Sequence, residues 1–174
     1  MIVIRDVDIF GRVRKRRASA RMQEAINSLV ERLEDTPALT VGLHRDAQDY
    51  HDDGGNLGAN EVTGVVEVGA KHEFGVGNFP ARPWLSRSIK AEKRAITANV
   101  TKALKIAADG GNATGQYKKM GRKLVTAIRQ HVEGNDIGLA ANAPSTVEAK
   151  GGNQPMVDTG HLLRQVDYKV YDDG

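Results

Sequence analysis

The chain contains no cysteine, which excludes a disulfide, a thiolate nucleophile, a cysteine-ligated iron–sulfur cluster and a cysteine zinc site. Aromatic residues are scarce at 5%, so an interior rich in stacked rings is not expected. Long apolar runs are missing as well. No window approaches the ~20 apolar residues of a membrane helix, and Met1-Ile2-Val3-Ile4-Arg5-Asp6 lacks the stretch of a signal peptide. The expectation is a protein made in the cytoplasm, with no membrane partner. The charge excess is small too: a net +3 does not argue for nucleic-acid binding from the total alone.

What remains suffices for one folded domain. Over 174 residues, 40% are hydrophobic and 27% charged, which supports a single core over residues 1–174. The 19 glycines predict tight turns and long loops. Charge is unevenly placed. Arg12, Arg14, Lys15, Arg16, Arg17 and Arg21 crowd one stretch, while Asp46, Asp49, Asp52 and Asp53 crowd another. The basic run suits contact with DNA phosphates without base reading, docking on an acidic protein surface, or simply a solvated helix start.

Met22, Ala25, Ile26, Leu29, Val30 and Leu33 recur at helical spacing and predict a helix from about Arg17 to Glu34, ended by Thr36-Pro37. Leu39, Val41 and Leu43 alternate as a strand. Val62, Gly64, Val66 and Val68 alternate likewise, and the two strands are expected to pair antiparallel. Between them, 44–60 reads as a long mobile loop. From Trp84 onward Leu85, Ile89, Ile96, Val100, Leu104 and Ala107 predict one long amphipathic helix, opened by Arg82-Pro83 and stopped by Asp109-Gly110-Gly111-Asn112. A second helix carries Tyr117, Gly121, Leu124, Val125, Ile128 and Val132, ends at Gly134-Asn135, and is expected to pack antiparallel on the first. Residues 140–154 read as an extended arm able to reach a neighbouring subunit. Asp158 or Thr159 then caps a short helix, and Val166, Tyr168 and Val170 form a closing strand. The predicted class is α+β: a small, mainly antiparallel sheet packed by long helices.

Few residues carry a chemical signature. Val157-Asp158-Thr159-Gly160 matches the local motif of aspartic peptidases, in which two carboxylates share a proton. Leu162, Leu163 and Val166 continue from it at helical spacing, which instead favours a helix cap. His72-Glu73 shares the opening of His-Glu-x-x-His, but Val76 stands where the second histidine must be. His44, His51, Asp52 and Asp53 lack ligand spacing that would fix a metal geometry. Gly54-Gly55 and Gly75-Val76-Gly77 lack the lysine and context of a phosphate loop. His131 suits a helix C-terminus. No cofactor, metal or catalytic residue is expected.

Three segments in order carry a resemblance: Lys71-His72-Glu73-Phe74-Gly75, then Phe79-Pro80-Ala81-Arg82-Pro83-Trp84-Leu85, then Gln154-Pro155-Met156-Val157-Asp158-Thr159-Gly160-His161-Leu162. Together they resemble the signature of the tailed-phage neck and tail-completion proteins, the Mu-like virion morphogenesis family. The resemblance implies a non-enzymatic virion protein that completes the tail or joins it to the head connector. It further implies a homo-oligomeric ring around the DNA channel, a hexamer being the expected form, that meets the tail tube, tail terminator or head connector. Phe74, Phe79 and Trp84 are expected to anchor a loop on the core, and Arg82 to make a bidentate contact with a carboxylate, more readily inside the subunit than between subunits. An aspartic peptidase using Asp158 and a small basic DNA-binding module are the alternatives.

Overall fold

The computed structural model describes residues 2–4, 20–49, 64–76 and 80–172. In chain order these form β1 (Ile2–Ile4), α1 (Ala20–Glu34), β2 (Ala38–Leu43), α2 (Val65–Phe74), α3 (Trp84–Ala91), α4 (Lys93–Ala108), α5 (Thr114–Gly134), α6 (Pro144–Lys150), α7 (His161–Arg164) and β3 (Val166–Tyr171). The architecture is α+β, with a three-stranded antiparallel sheet of order β1-β2-β3. Ile2 pairs with Val41 on one edge of β2, and Ala38 with Tyr171 and Leu43 with Val166 on the other. With both edges occupied, β2 is the central strand, and Leu39 through Leu43 are buried.

The core is one cluster. Leu39, Val41 and Val166 of the sheet meet Leu124, Ile128 and Val132 of α5, with Trp84 and Leu85 of α3 closing one end. Two glycines set the packing distance. A Cβ at Gly121 would lie 2.2 Å from the Tyr168 ring, and one at Gly69 would lie 2.3 Å from Leu43 Cδ1. Against the Tyr168 ring such an approach is available only to glycine, whereas at Gly69 a Cβ would require the Leu43 methyl to move.

The terminators act as the sequence predicts. Thr36 Oγ1 donates to the Leu33 carbonyl at 2.9 Å beyond the end of α1. Gly110 takes φ +80 after α4, and Gly111 N donates back to the Ile106 carbonyl at 2.8 Å, satisfying carbonyls the helix leaves open. Asn135 adopts a left-handed φ of 50 after α5, and its Oδ1 accepts from Leu139 N at 2.7 Å. The antiparallel run of α4 and α5 is fastened by Gln116 Nε2 donating to Asn99 Oδ1 at 2.7 Å and, nearer the start of α4, by His131 Nε2 lying 3.1 Å from Glu92 Oε1.

Several expectations need correction. Val66 and Val68 lie in a helix, α2, and not in a strand paired with β2. Val65, Val68, Gly69 and His72 share a helical face, Val65 and Gly69 are buried, and β1 and β3 already occupy both edges of β2. The helix expected from Trp84 to Ala107 is two helices meeting at Glu92, whose ψ of 4 interrupts the run. The stretch 140–154 is not extended, since it holds α6 with Pro144 in its first turn and is tied back to its own chain. Gln154 Nε2 donates to the Val132 carbonyl at 3.1 Å, and Asn142 Nδ2 to the Gln154 carbonyl at 3.1 Å. The first residues of the expected mobile loop are fastened too: Lys169 Nζ lies 2.6 Å from Asp46 Oδ1, and Gln48 N donates to Gln165 Oε1 at 2.9 Å. Residues 50–60, the expected helix start at 17–19 and Phe79 lie outside the described residues.

Candidate functional site

Of the three segments singled out by sequence, the first two are near neighbours in the chain and the third begins at Gln154, far beyond them, yet the fold brings all three to one place. A cleft of about 510 Å³ is lined by Val68 and His72 of α2, by Pro80 and Arg82, by Asn142, Thr146 and Lys150 around α6, and by Met156 to Leu162 excepting Val157. Its walls are fixed by hydrogen bonds that the local sequence explains only in part.

Glu73 closes the first junction. Its carboxylate accepts from Leu85 N at 2.8 Å and Ser86 N at 3.2 Å, so a side chain at the end of α2 caps the first turn of α3. Amides at a helix start lack partners inside the helix, and a negative charge there is favoured by the helix dipole. Asp49 does the same for α2, its Oδ1 accepting from Val65 N at 2.9 Å. Gly75 turns the chain with φ +70, and a Cβ there would lie 2.9 Å from Ala81 N. Arg82 N then donates to the His72 carbonyl at 2.6 Å, and Trp84 Nε1 donates to the Gly69 carbonyl at 3.1 Å. Trp84 is thus the core anchor expected of it. Phe74 is not, because it is 77% exposed; the chain turns at Gly75 and leaves its ring outside.

Arg82 closes the second junction. It is only 6% exposed, and Nε donates to the Ala140 carbonyl at 2.8 Å while Nη2 donates to the Ala141 carbonyl at 2.9 Å and to Asn142 Oδ1 at 3.4 Å. Its role is internal, but its acceptors are backbone carbonyls and an amide rather than the expected carboxylate. Burial pulls the guanidinium below its ordinary pKa. Burial, followed by the positive charges of Arg82 and Lys150, holds His72 below its ordinary value, so a neutral imidazole faces the cleft at neutral pH.

At the third wall, Gly160 takes φ +74 before α7, and Thr159 Oγ1 accepts from His161 N at 3.3 Å. Of the two expected caps, Thr159 supplies the oxygen. His161 Nε2 lies 2.9 Å from the Gln48 carbonyl oxygen. Asp158 is exposed and is the one carboxylate among the described residues lining the cleft. An acid dyad needs two, so the peptidase alternative takes its second Asp158 from another copy of the chain.

Two further arginines do similar work unannounced by any motif. Arg129 reaches from α5 to the carbonyls of Leu163 at 3.0 Å, Arg164 at 3.1 Å and Val166 at 2.9 Å. Arg87 donates to the carbonyls of Ile137, at 3.0 Å, and of Gly138. An arginine fork suits adjacent carbonyls as it suits a carboxylate, and only the loop paths show which arginines are placed to use it.

Elsewhere, His131 lies 2.8 Å from Asp136 Oδ1 with its other nitrogen at Glu92, so its expected C-terminal role is made through side chains. Arg21 is exposed in the first turn of α1; Arg12, Arg14, Lys15, Arg16 and Arg17 lie outside the described residues. Among the described residues, no three His, Asp or Glu side chains gather as metal ligands, and no helix is long and apolar enough to cross a membrane. No family model, curated protein or solved structure matches the chain.

Proposed function

We propose that this protein is a structural component of a tailed-phage neck, assembling as a ring at the top of the tail to complete it and join it to the head. The observation that supports this is what the signature residues do. Arg82, Thr159 and Gly160 clamp, cap or turn the chain at the cleft, and Glu73, Gly75 and Trp84 cap, turn or bury the α2–α3 junction beside it. A signature spent on fastening segments to one another suits a virion subunit better than an enzyme, whose distinctive residues are aimed at a substrate.

A ring requires a heterologous contact, one patch meeting a different patch on the next copy. Two exposed apolar surfaces on separate elements suit this. Met22, Ile26 and Leu29 are 57%, 42% and 38% exposed along α1. Val66, Ala70 and Phe74 line a groove of about 250 Å³ between α2 and α3. The second copy's α1 stripe is the occupant we assign to that groove, a helix-in-groove contact.

Electron microscopy of particles made without the gene tests the proposal. Filled heads beside separate tails, or tails of abnormal length, are expected, and complementation with Asp158→Asn restores normal particles. Normal infectious particles without the gene overturn the neck role. Failure of Asp158→Asn alone, with the variant folded and its proteolytic activity lost, turns the reading to the peptidase.

A further inference from the structure

The small net charge conceals a strong internal separation. Residues 84–130 carry 11 Lys or Arg against two Asp or Glu, a net +9, while the rest of the chain carries 14 against 20, a net −6. Those 47 residues are α3, α4 and most of α5. Of their two acids, Glu92 is held by His131, and Asp109 lies in the turn after α4.

Helical geometry places the cations outward. The inward positions of α4 and α5 are taken by Ala103, Ala107, Leu124 and Ile128. Arg94, Lys102 and Lys105 on α4, and Lys118, Lys119, Arg122 and Lys123 on α5, are all exposed. Lys118 with Arg122, and Lys119 with Lys123, are like charges one turn apart, an arrangement that repels unless something negative covers it. The antiparallel bonds of Asn99 with Gln116 and Glu92 with His131 set the two helices side by side, so both basic faces belong to one layer.

We infer that the outward face of α4 and α5 binds the phosphate backbone of double-stranded nucleic acid without reading sequence. The composition of the face selects that partner. Protein interfaces are depleted in lysine and carry an apolar centre, whereas none of the exposed large apolar side chains lies on α4 or α5. An amphipathic helix on a lipid surface needs exposed apolar anchors for the same reason. Single strands are held on aromatic platforms, and the only aromatic of the two helices, Tyr117, is buried. At 16 and 21 residues, the helices span about 24 and 31 Å, close to one duplex turn of about 34 Å.

In the neck reading, on which only this orientation rests, the face points toward the channel. Binding itself is measured on the purified full-length chain, by fluorescence anisotropy with duplexes of unrelated sequence over a salt series. Two variants are compared: Arg94→Gln with Lys102→Gln, Lys119→Gln and Lys123→Gln, and separately Arg12, Arg14, Lys15, Arg16 and Arg17 all to Gln. Glutamine keeps helix propensity, and circular dichroism checks the fold. Wild type is expected to bind all duplexes alike, with affinity falling steeply as salt rises. The helix variant is expected to bind at least tenfold more weakly, with a salt slope shallower by about 3 to 4, since each phosphate contact contributes about 0.9. The 12–17 variant is expected to retain the larger part of the binding.

No duplex binding by wild type overturns the inference, as does equal loss in both variants or loss in the 12–17 variant alone. A helix variant that binds DNA normally but fails to self-associate also overturns it, and assigns the face to an acidic surface of a second copy. None of these results bears on the deletion phenotype, so the neck reading stands or falls separately.

Discussion

Arg82 shows how one side chain can hold two distant segments. Its donors meet carbonyls at Ala140 and Ala141, and removing it leaves partly buried acceptors without partners, at a cost of about 1–3 kcal/mol each. Arg82→Met is therefore expected to destabilise the fold by roughly 2–4 kcal/mol, and Arg82→Lys to recover little, because an ammonium cannot reproduce the planar fork. Urea unfolding monitored at Trp84 measures both; a loss under 1 kcal/mol for Met contradicts the clamp. His131 gives a second residue-scale prediction. Burial alone lowers its pKa, but Asp136 and Glu92 outweigh burial and hold it above the ordinary 6.5. A raised folded value means the folded state binds the proton more tightly than the unfolded chain does. Its stabilisation is thus present in full below the ordinary value and is lost as pH rises through the folded value. The stability difference between wild type and His131→Gln, measured by urea unfolding across pH, should follow that course; a difference independent of pH refutes it.

Among the elements, α1 and α2 are the informative ones. α1 is amphipathic by sequence, and its last turns are fixed by Leu33 against the core and by Arg32 Nη1 donating to the Ala108 carbonyl at 2.9 Å. Its earlier apolar positions, Met22, Ile26 and Leu29, stay exposed. Ile26→Asp is expected to leave the helical content and unfolding midpoint nearly unchanged, because the position is exposed, while abolishing the proposed self-association, which light scattering of wild type and variant measures. An oligomer that survives both this change and Phe74→Asp in the groove rules out the α1-to-groove contact. For α2, the valine alternation at 62, 64, 66 and 68 is a genuine period-two pattern, but Val65, Val68, Gly69 and His72 are a genuine helical one. Short apolar runs satisfy both periods. The choice fell to tertiary context, because β2 offers no free edge and α2 instead packs Gly69 against Leu43 and Trp84.

At the scale of the whole molecule, one core organises a fold whose charge is divided between a basic helical layer and a net acidic remainder. The division is legible in the sequence only once the helix boundaries are known, since the compact Arg12 to Arg21 run is the more conspicuous cluster. Local physics in the sequence by itself determined α1, α5, β2, β3 and the α4 and α5 terminators, because apolar periodicity, proline and glycine act within a few residues. His72 to Gly75, Pro80 to Trp84 and Asp158 to Gly160 are the residues on which the proposed neck reading rests. Only the tertiary structure decided that these segments share a cleft, that α2 is a helix, that 140–154 folds back onto its own chain, and that Arg82, Arg87 and Arg129 bind carbonyls. Those outcomes depend on which backbone groups remain unpaired after the core has formed, and contacts made across 30 to 60 residues leave no local period to read.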